Sequence, residues 1–174
     1  MQEYPWYETV SEKDELMQGD FIKECPVIIP PLEISDSMEV KVVEYNTIIM
    51  SQSCDLVQRK LDLVLVCPIW PLSEFEKRND FFKSKKGKEA LRQGNVPGYH
   101  LLNKCEIKEF ETDFLVVDFR NIYGVSLAFL VGLSQKRGDR LRLLPPYREH
   151  LSQAFARFFM RVGLPVDIPS FKKR

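Results

Sequence analysis

Thr47-Ile48-Ile49-Met50, then Ser51-Gln52-Ser53-Cys54-Asp55, then Leu61-Asp62-Leu63-Val64-Leu65-Val66-Cys67 before Pro68, is the stretch whose reading decides the fold. Two short apolar runs rich in β-branched residues read as buried strands rather than helices. The polar connection between them carries the densest group of reactive side chains in the chain. A strand–loop–strand unit of this kind is expected to form both the core and one wall of a site. Upstream, Gly19-Asp20 is a turn signal, Phe21–Val27 a first strand ended by Pro30-Pro31, and Lys41–Met50 a long strand pairing with Leu61–Cys67.

Further along, composition changes. Residues 73–94 read as a helical insertion: Ser73 with Glu76 three residues on is a capping box, and Lys83, Lys85, Lys86, Lys88 and Arg92 make it the most basic part of the chain, with Gly87 as a breaker. Tyr99–Leu102, Glu106–Phe110, Phe114–Phe119 and Ile122–Val125 carry strand-type residues, followed by a short helix from Leu127 to about Gln135 stopped by Gly138. Arg140–Leu143 alternates charge and apolar character as a half-exposed strand does. The clearest element is a helix over 147–162, where Tyr147, Leu151, Ala154, Phe155, Phe158, Phe159 and Val162 form one stripe before Gly163 and Pro165. Burying its three phenylalanines would contribute about 5–9 kcal/mol at roughly 1.5–3 each, before entropy is deducted. Residues 1–15 read as an irregular lead-in to a single domain spanning 1–174. The expected class is α+β, a strongly bent antiparallel sheet or barrel with an inserted basic helix and a long C-terminal amphipathic helix.

Bulk numbers narrow the function. With 174 residues, 44% hydrophobic and 29% charged, the chain has the makings of one self-supporting core. Twenty-five basic against 25 acidic residues give no overall pull on nucleic acid or membrane, so such binding needs a local patch. No apolar run approaches the ~18 residues of a membrane span, and Met1–Trp6 lacks the features of a signal peptide. Cys25, Cys54, Cys67 and Cys105 include no C-x-x-C pair, which argues against a zinc cluster and gives no disulfide framework. A reducing cytoplasm is the expected compartment, and no metal or other cofactor is expected.

The pattern Gly19-Asp20-Phe21-Ile22, then Ile48-Ile49-Met50-Ser51, then Leu63–Val66 with Cys67-Pro68, resembles the opening of the MazF/PemK toxin family over roughly residues 16–70. That resemblance implies an SH3-like barrel, a bacterial toxin–antitoxin setting, a protein partner of the kind encoded in the same operon, and a homodimer to which the phenylalanine-rich helix contributes. Family members cut single-stranded RNA with an arginine just before the second strand and a hydroxyl just after the third. Here Tyr45-Asn46 and Ile69-Trp70 stand at those places, with Ser73 the nearest hydroxyl. The fold is therefore expected to carry over without the ribonuclease groups. The Ser51–Leu56 loop and the 146–153 segment also resemble an uncharacterised bacterial defence-associated group.

Two side-chain sets stand out. Cys54 with Asp55 would be a nucleophile loop if His100 or His150 came close enough to take the thiol proton. The plainer reading is that Ser51, Ser53 and Asp55 bond the loop's own backbone while Cys54 points inward. On the last helix, His150, Arg157 and Arg161, with Gln153 beside them, form a basic stripe able to hold phosphates, which Arg140 and Arg142 would extend. The plainer reading is a solvated flank. The lysines at 83–92 fit an exposed helix with few interleaved aromatics. Asp14, Asp20, Asp55 and Asp118 have no spacing that demands a metal. Two functions follow: a protein-binding module derived from a toxin-like barrel, or an endoribonuclease whose chemistry has moved to His150, Arg157 and the Ser51–Asp55 loop.

Overall fold

The computed structural model describes residues 4–33 and 39–160. Its strands are β1 (Tyr7–Val10), β2 (Phe21–Ile29), β3 (Lys41–Ile49), β4 (Leu63–Pro71), β5 (Tyr99–Leu102), β6 (Leu115–Asp118), β7 (Tyr123–Ser126) and β8 (Arg140–Leu143). The helices are α1 (Ser53–Val57), α2 (Leu72–Arg78), α3 (Lys85–Arg92), α4 (Leu127–Arg137) and α5 (Tyr147–Phe159). The class is α+β, and every strand pairing is antiparallel.

β4 organises the main sheet, whose order is β2-β3-β4-β6-β5. The first half of β4 pairs with β7, as Leu63 with Ser126 through Val66 with Tyr123. Its second half pairs with β6, as Ile69 with Val117 through Pro71 with Leu115. β3 lies on the other side, Ile48 opposite Cys67. From Val66 to Ile69 successive residues are buried on both faces, which suits a continuous apolar run, whereas in the first half Leu63 and Leu65 are exposed and alternate with buried Val64 and Val66. Ile48, Cys67 and Ile69 face one core, closed by β1, β8 and α5. Ile49, Val64 and Val66 face a second, closed by α1 and α4. Phe75, Phe82 and Leu91 of the insertion pack on Tyr99 and Val116 of β5 and β6 as a third.

β1 and β8 form a separate two-stranded sheet, joined to the main sheet by an Asp20–Arg142 bridge. Gly19 mediates the join: its N–H donates to the Ile49 carbonyl and its carbonyl accepts from Leu143 N–H, both at 2.9 Å. A side chain at this φ of 87° would crowd Leu143. The pairings do not close into a barrel among the described residues; β5 ends the sheet with a partner on one side only.

Several expectations are corrected. The lead-in is not irregular throughout, because Tyr7–Val10 pairs with Arg140–Leu143. Trp6 stacks on Tyr147 at 3.6 Å between centroids, and the Tyr7 hydroxyl donates to the Asn103 carbonyl at 2.6 Å. The 73–94 insertion is two helices and a 3₁₀ turn (Asp80–Lys83). Ser73 lies inside α2 rather than capping it; Ser84 caps α3, accepting from Gly87 N–H at 3.0 Å. Gly87 does not break that helix but lets it touch the preceding turn, since a Cβ there would meet the Phe81 carbonyl oxygen. Residues 106–110 are not a strand: Cys105 and Thr112 exchange 3.0 Å backbone bonds, and the chain between them turns through a 3₁₀ segment (Lys108–Phe110). Val162, Gly163 and Pro165 lie outside the described residues. Of the three phenylalanines of α5, Phe155 and Phe158 pack on Phe119, while Phe159 is 60% exposed, so their joint contribution falls short of full burial.

Candidate functional site: a polar depression and a groove beside the β2 bulge

Ser51–Asp55 does not fold back on itself. Residues 53–57 make one short helix, and the two serines reach outward to other elements. Ser51 Oγ accepts from Leu65 N–H at 2.8 Å, and Ser53 Oγ accepts from Gln18 N–H at 3.1 Å. Gln18 in turn donates through Nε2 to the Met50 carbonyl at 2.7 Å. Cys54 is exposed rather than inward-pointing, and its sulfur lies 3.8 Å from Asp55 Oδ1.

This loop abuts α5, as an active-site reading requires. Gln52 Nε2 donates to Ser152 Oγ at 3.3 Å, and the depression between them, about 410 Å³, is bounded by Gln18, Cys54, Arg148, Glu149 and Gln153. The flank is the wrong one for the relocated catalytic centre. At ~100° per residue, Arg148 and Ser152 lie ~100–140° around the helix from Tyr147, whereas Arg157 and His150 lie at ~280–300°. The apolar stripe lies between them on one side of the helix, and Glu149 and Gln153, which also line the depression, on the other. His150 and Arg157 do not line the depression, so no imidazole meets the Cys54 thiol there, and its neighbour is the Asp55 carboxylate. Arg148, which does line it, is paired with Glu149 at 2.8 Å.

Beyond the Gln153 edge of the depression His150 and Arg157 are exposed, with Arg161 outside the described residues. His150 lies near His100 of β5. Burial against Phe119, with a smaller contribution from the His150 charge, lowers the His100 pKa to about 4.

Arg140 and Arg142 do not extend this stripe. Both are buried, and both bind the fully buried Asp20, Arg140 through Nε at 2.7 Å and Arg142 through Nε and Nη2 at 2.5 and 3.0 Å. Their remaining donors hold backbone carbonyls: Ser11 and Asp14 from Arg140, Glu15 from both, at 2.8–2.9 Å. Burial opposes the Arg142 charge, but the hydrogen bond and charge of Asp20 outweigh it and raise its pKa. The strand was expected to be half-exposed because it alternates charge and apolar character. It alternates instead between an apolar core and a buried ion cluster. The signal was present in sequence: two arginines on one strand face, and an aspartate after the Gly19 turn to receive them.

A second concavity, about 230 Å³, opens beside a bulge in β2. The β2–β3 register shifts between Ile22 and Cys25, Glu24 takes φ 47°, and its N–H donates to Asn46 Oδ1 at 3.0 Å. Bulges re-aim side chains in this way, and here Lys23 lies over the Phe110 ring at 4.7 Å. The groove floor includes Phe21, Ile69, Leu115 and Leu141, and Asn46 and Pro71 share it. Asn46 and Ile69 lie within β3 and β4 rather than before or after a strand, and both line this groove, whereas Tyr45 and Trp70 do not line it and meet edge to face at 5.6 Å. Arg137 reaches it but is paired with Glu24 at 2.8 Å, and Glu109, Glu111 and Asp139 stand around it.

Cys25, Cys67 and Cys105 are buried thiols, with Cys67 pushed up to about 12 by burial and then by the Asp118 charge. Among the described residues no group of three or more His, Cys, Asp or Glu would hold a metal, and no helix is long and apolar enough to cross a membrane. Neither a protein-family model nor a curated protein matches the chain.

Proposed function

We propose that this protein is a divergent, opened relative of the SH3-like toxin barrel that serves a bacterial stress or defence system as a protein-binding module without ribonuclease activity. One observation carries the reading: of the positions matched to the family's cutting groups, Asn46 and Ile69 share one groove, and they bring to it an amide and an apolar side chain rather than an arginine and a hydroxyl. Among the described residues no unpaired guanidinium lines it to stabilise a charged phosphorane. Arg137 is engaged by Glu24 and Arg140 by Asp20. Loss of one such donor already costs about 10²–10³ in rate. Three carboxylates at the groove oppose a phosphate backbone further.

The relocated-ribonuclease alternative draws on the exposed His150 and Arg157, but neither lines the depression beside the Ser51–Asp55 loop. Purified protein incubated with a panel of single-stranded RNAs decides between them. No cleavage, together with stoichiometric recovery of a protein on native purification, supports the module. Cleavage that Arg157→Ala abolishes without lowering Tm overturns it.

A further inference from the structure

We propose that the cleft between residues 12–16, the α1–β4 connection and α4 is the docking site for a basic amphipathic helix of a partner protein. The inference rests on the protein-binding reading above and deepens it by giving the partner's chemistry. The cleft encloses about 610 Å³, over a floor that includes Leu16, Leu56, Leu61, Leu127 and Val131. From Leu127 to Gln135 it follows α4 for ~12 Å, the rise of eight helical residues. Two turns of a partner helix presenting apolar anchors at i, i+4 and i+7 cover that length. An added strand does not suit it, because strand addition needs an exposed sheet edge, and β7 reaches the cleft only through its last residue, Ser126.

Charge selects the partner. Glu12, Asp14 and Glu15 stand on one wall and Asp62 on the other, against Lys13 and Arg59. Among the described residues, neither Glu15 nor Asp62 spends its carboxylate on an ion pair or hydrogen bond. In a chain of zero net charge this is a local negative field inside a partly apolar cleft, where field lines concentrate. It attracts lysines and arginines and repels nucleic acid.

The acidic wall is also held in place beforehand. Arg140 and Arg142 grip the carbonyls of Ser11, Asp14 and Glu15 from within, which leaves the side chains of Glu12, Asp14 and Glu15 on the outer side. The buried ion cluster thus has a use beyond stability: it removes the ordering cost that a loose acidic loop would bring to binding.

The test uses the full chain and two fluorescein-labelled 14-residue helical peptides, one of leucine and lysine, the other of leucine and glutamate. The lysine peptide is expected to bind and to weaken as salt rises. The Glu15→Lys, Asp62→Lys double variant should weaken it about tenfold with an unchanged Tm. A photo-crosslinker on the peptide should label residues 127–135. Equal binding of the glutamate peptide, undiminished binding by the double variant, or crosslinks confined to another face overturns the proposal. Native purification separates this from failure of the broader reading. A protein captured by the wild type and lost from the double variant supports the cleft. A protein retained by both overturns the cleft while docking stands. RNA recovered in place of any protein overturns docking and the cleft with it.

Discussion

Arg142 grips Asp20 with two donors at once, Nε to Oδ1 at 2.5 Å and Nη2 to Oδ2 at 3.0 Å, and Asp20 has no solvent exposure. The remaining carboxylate capacity is taken by Arg140 and by Met17 N–H at 3.1 Å. A pair like this is weak evidence of net stabilisation, since desolvation offsets much of the attraction, but removing one partner strands the others.

Asp20→Asn leaves two guanidinium groups buried with no counter-charge and is expected to cost about 3–5 kcal/mol. That is a large part of the ~5–15 kcal/mol by which a domain of this kind is stable. Urea unfolding followed by tryptophan fluorescence reads it directly. Arg142→Lys should also destabilise, because an ammonium cannot reproduce the two-pronged contact. A loss under ~1 kcal/mol for Asp20→Asn would mean the cluster is not closed to water in solution.

Cysteine reactivity checks the placement of the loop. Cys54 is exposed while Cys25, Cys67 and Cys105 are buried, and burial raises the pKa of all three. Folded protein should release one equivalent of thionitrobenzoate from Ellman's reagent quickly and the other three on denaturation. Cys54→Ser should abolish the fast equivalent and leave Tm unchanged. If a catalytic role existed, this variant would also lose RNA cleavage; the module reading expects no activity in either protein.

His100 makes stability pH-dependent. Its folded pKa of about 4 lies below the unfolded value near 6.5, so the unfolded chain binds the extra proton between those limits. Stability is therefore expected to rise from pH 4 to pH 6.5 and to level off above, by on the order of 3 kcal/mol from this group. His100→Gln should flatten that segment of the Tm-versus-pH curve. An unchanged slope in the variant would show that another group dominates.

Two glycines give opposite outcomes. Gly87→Ala places a methyl group against the backbone of Phe81 and should cost about 1–3 kcal/mol or more, detaching α3 from the 3₁₀ turn. Gly132 lies in α4 with open space around it, so Gly132→Ala should stabilise by about 0.5–1 kcal/mol. Thermal melts of the pair compare steric crowding and backbone entropy in one protein.

The strands around Cys54 were legible because Thr47–Ile49 and Val66–Ile69 are buried on both faces, and a run of Ile, Val and Leu leaves few other options. The α5 stripe and the Gly138 stop of α4 were legible for the same kind of local reason; Gly138 takes φ 86° at that helix end. What escaped was long-range. Tyr7–Val10 looked irregular because its partner lies 130 or more positions away in β8. Ser73 offered a capping-box spacing, yet Pro71 occupies the N-cap of α2, and Ser84, without a downstream Glu or Gln at the right spacing, is the serine that caps. In the site, the meeting of the Ser51–Asp55 loop with α5 was anticipated as a requirement, but the flank it would meet was not. A helical wheel gives the separation of Ser152 from Arg157; only the docking angle says which of them faces Gln52.

The pairing of β1 with β8 has a consequence for synthesis. A ribosome releases the segment around Tyr7 long before Arg140 and Arg142 emerge, so Asp20 must wait as a hydrated charge while most of the main sheet is already available to form. Nascent or prematurely terminated chains ending before β8 would expose an unmated strand and an unneutralised acid on one surface, a feature by which quality-control proteases can tell unfinished molecules from finished ones.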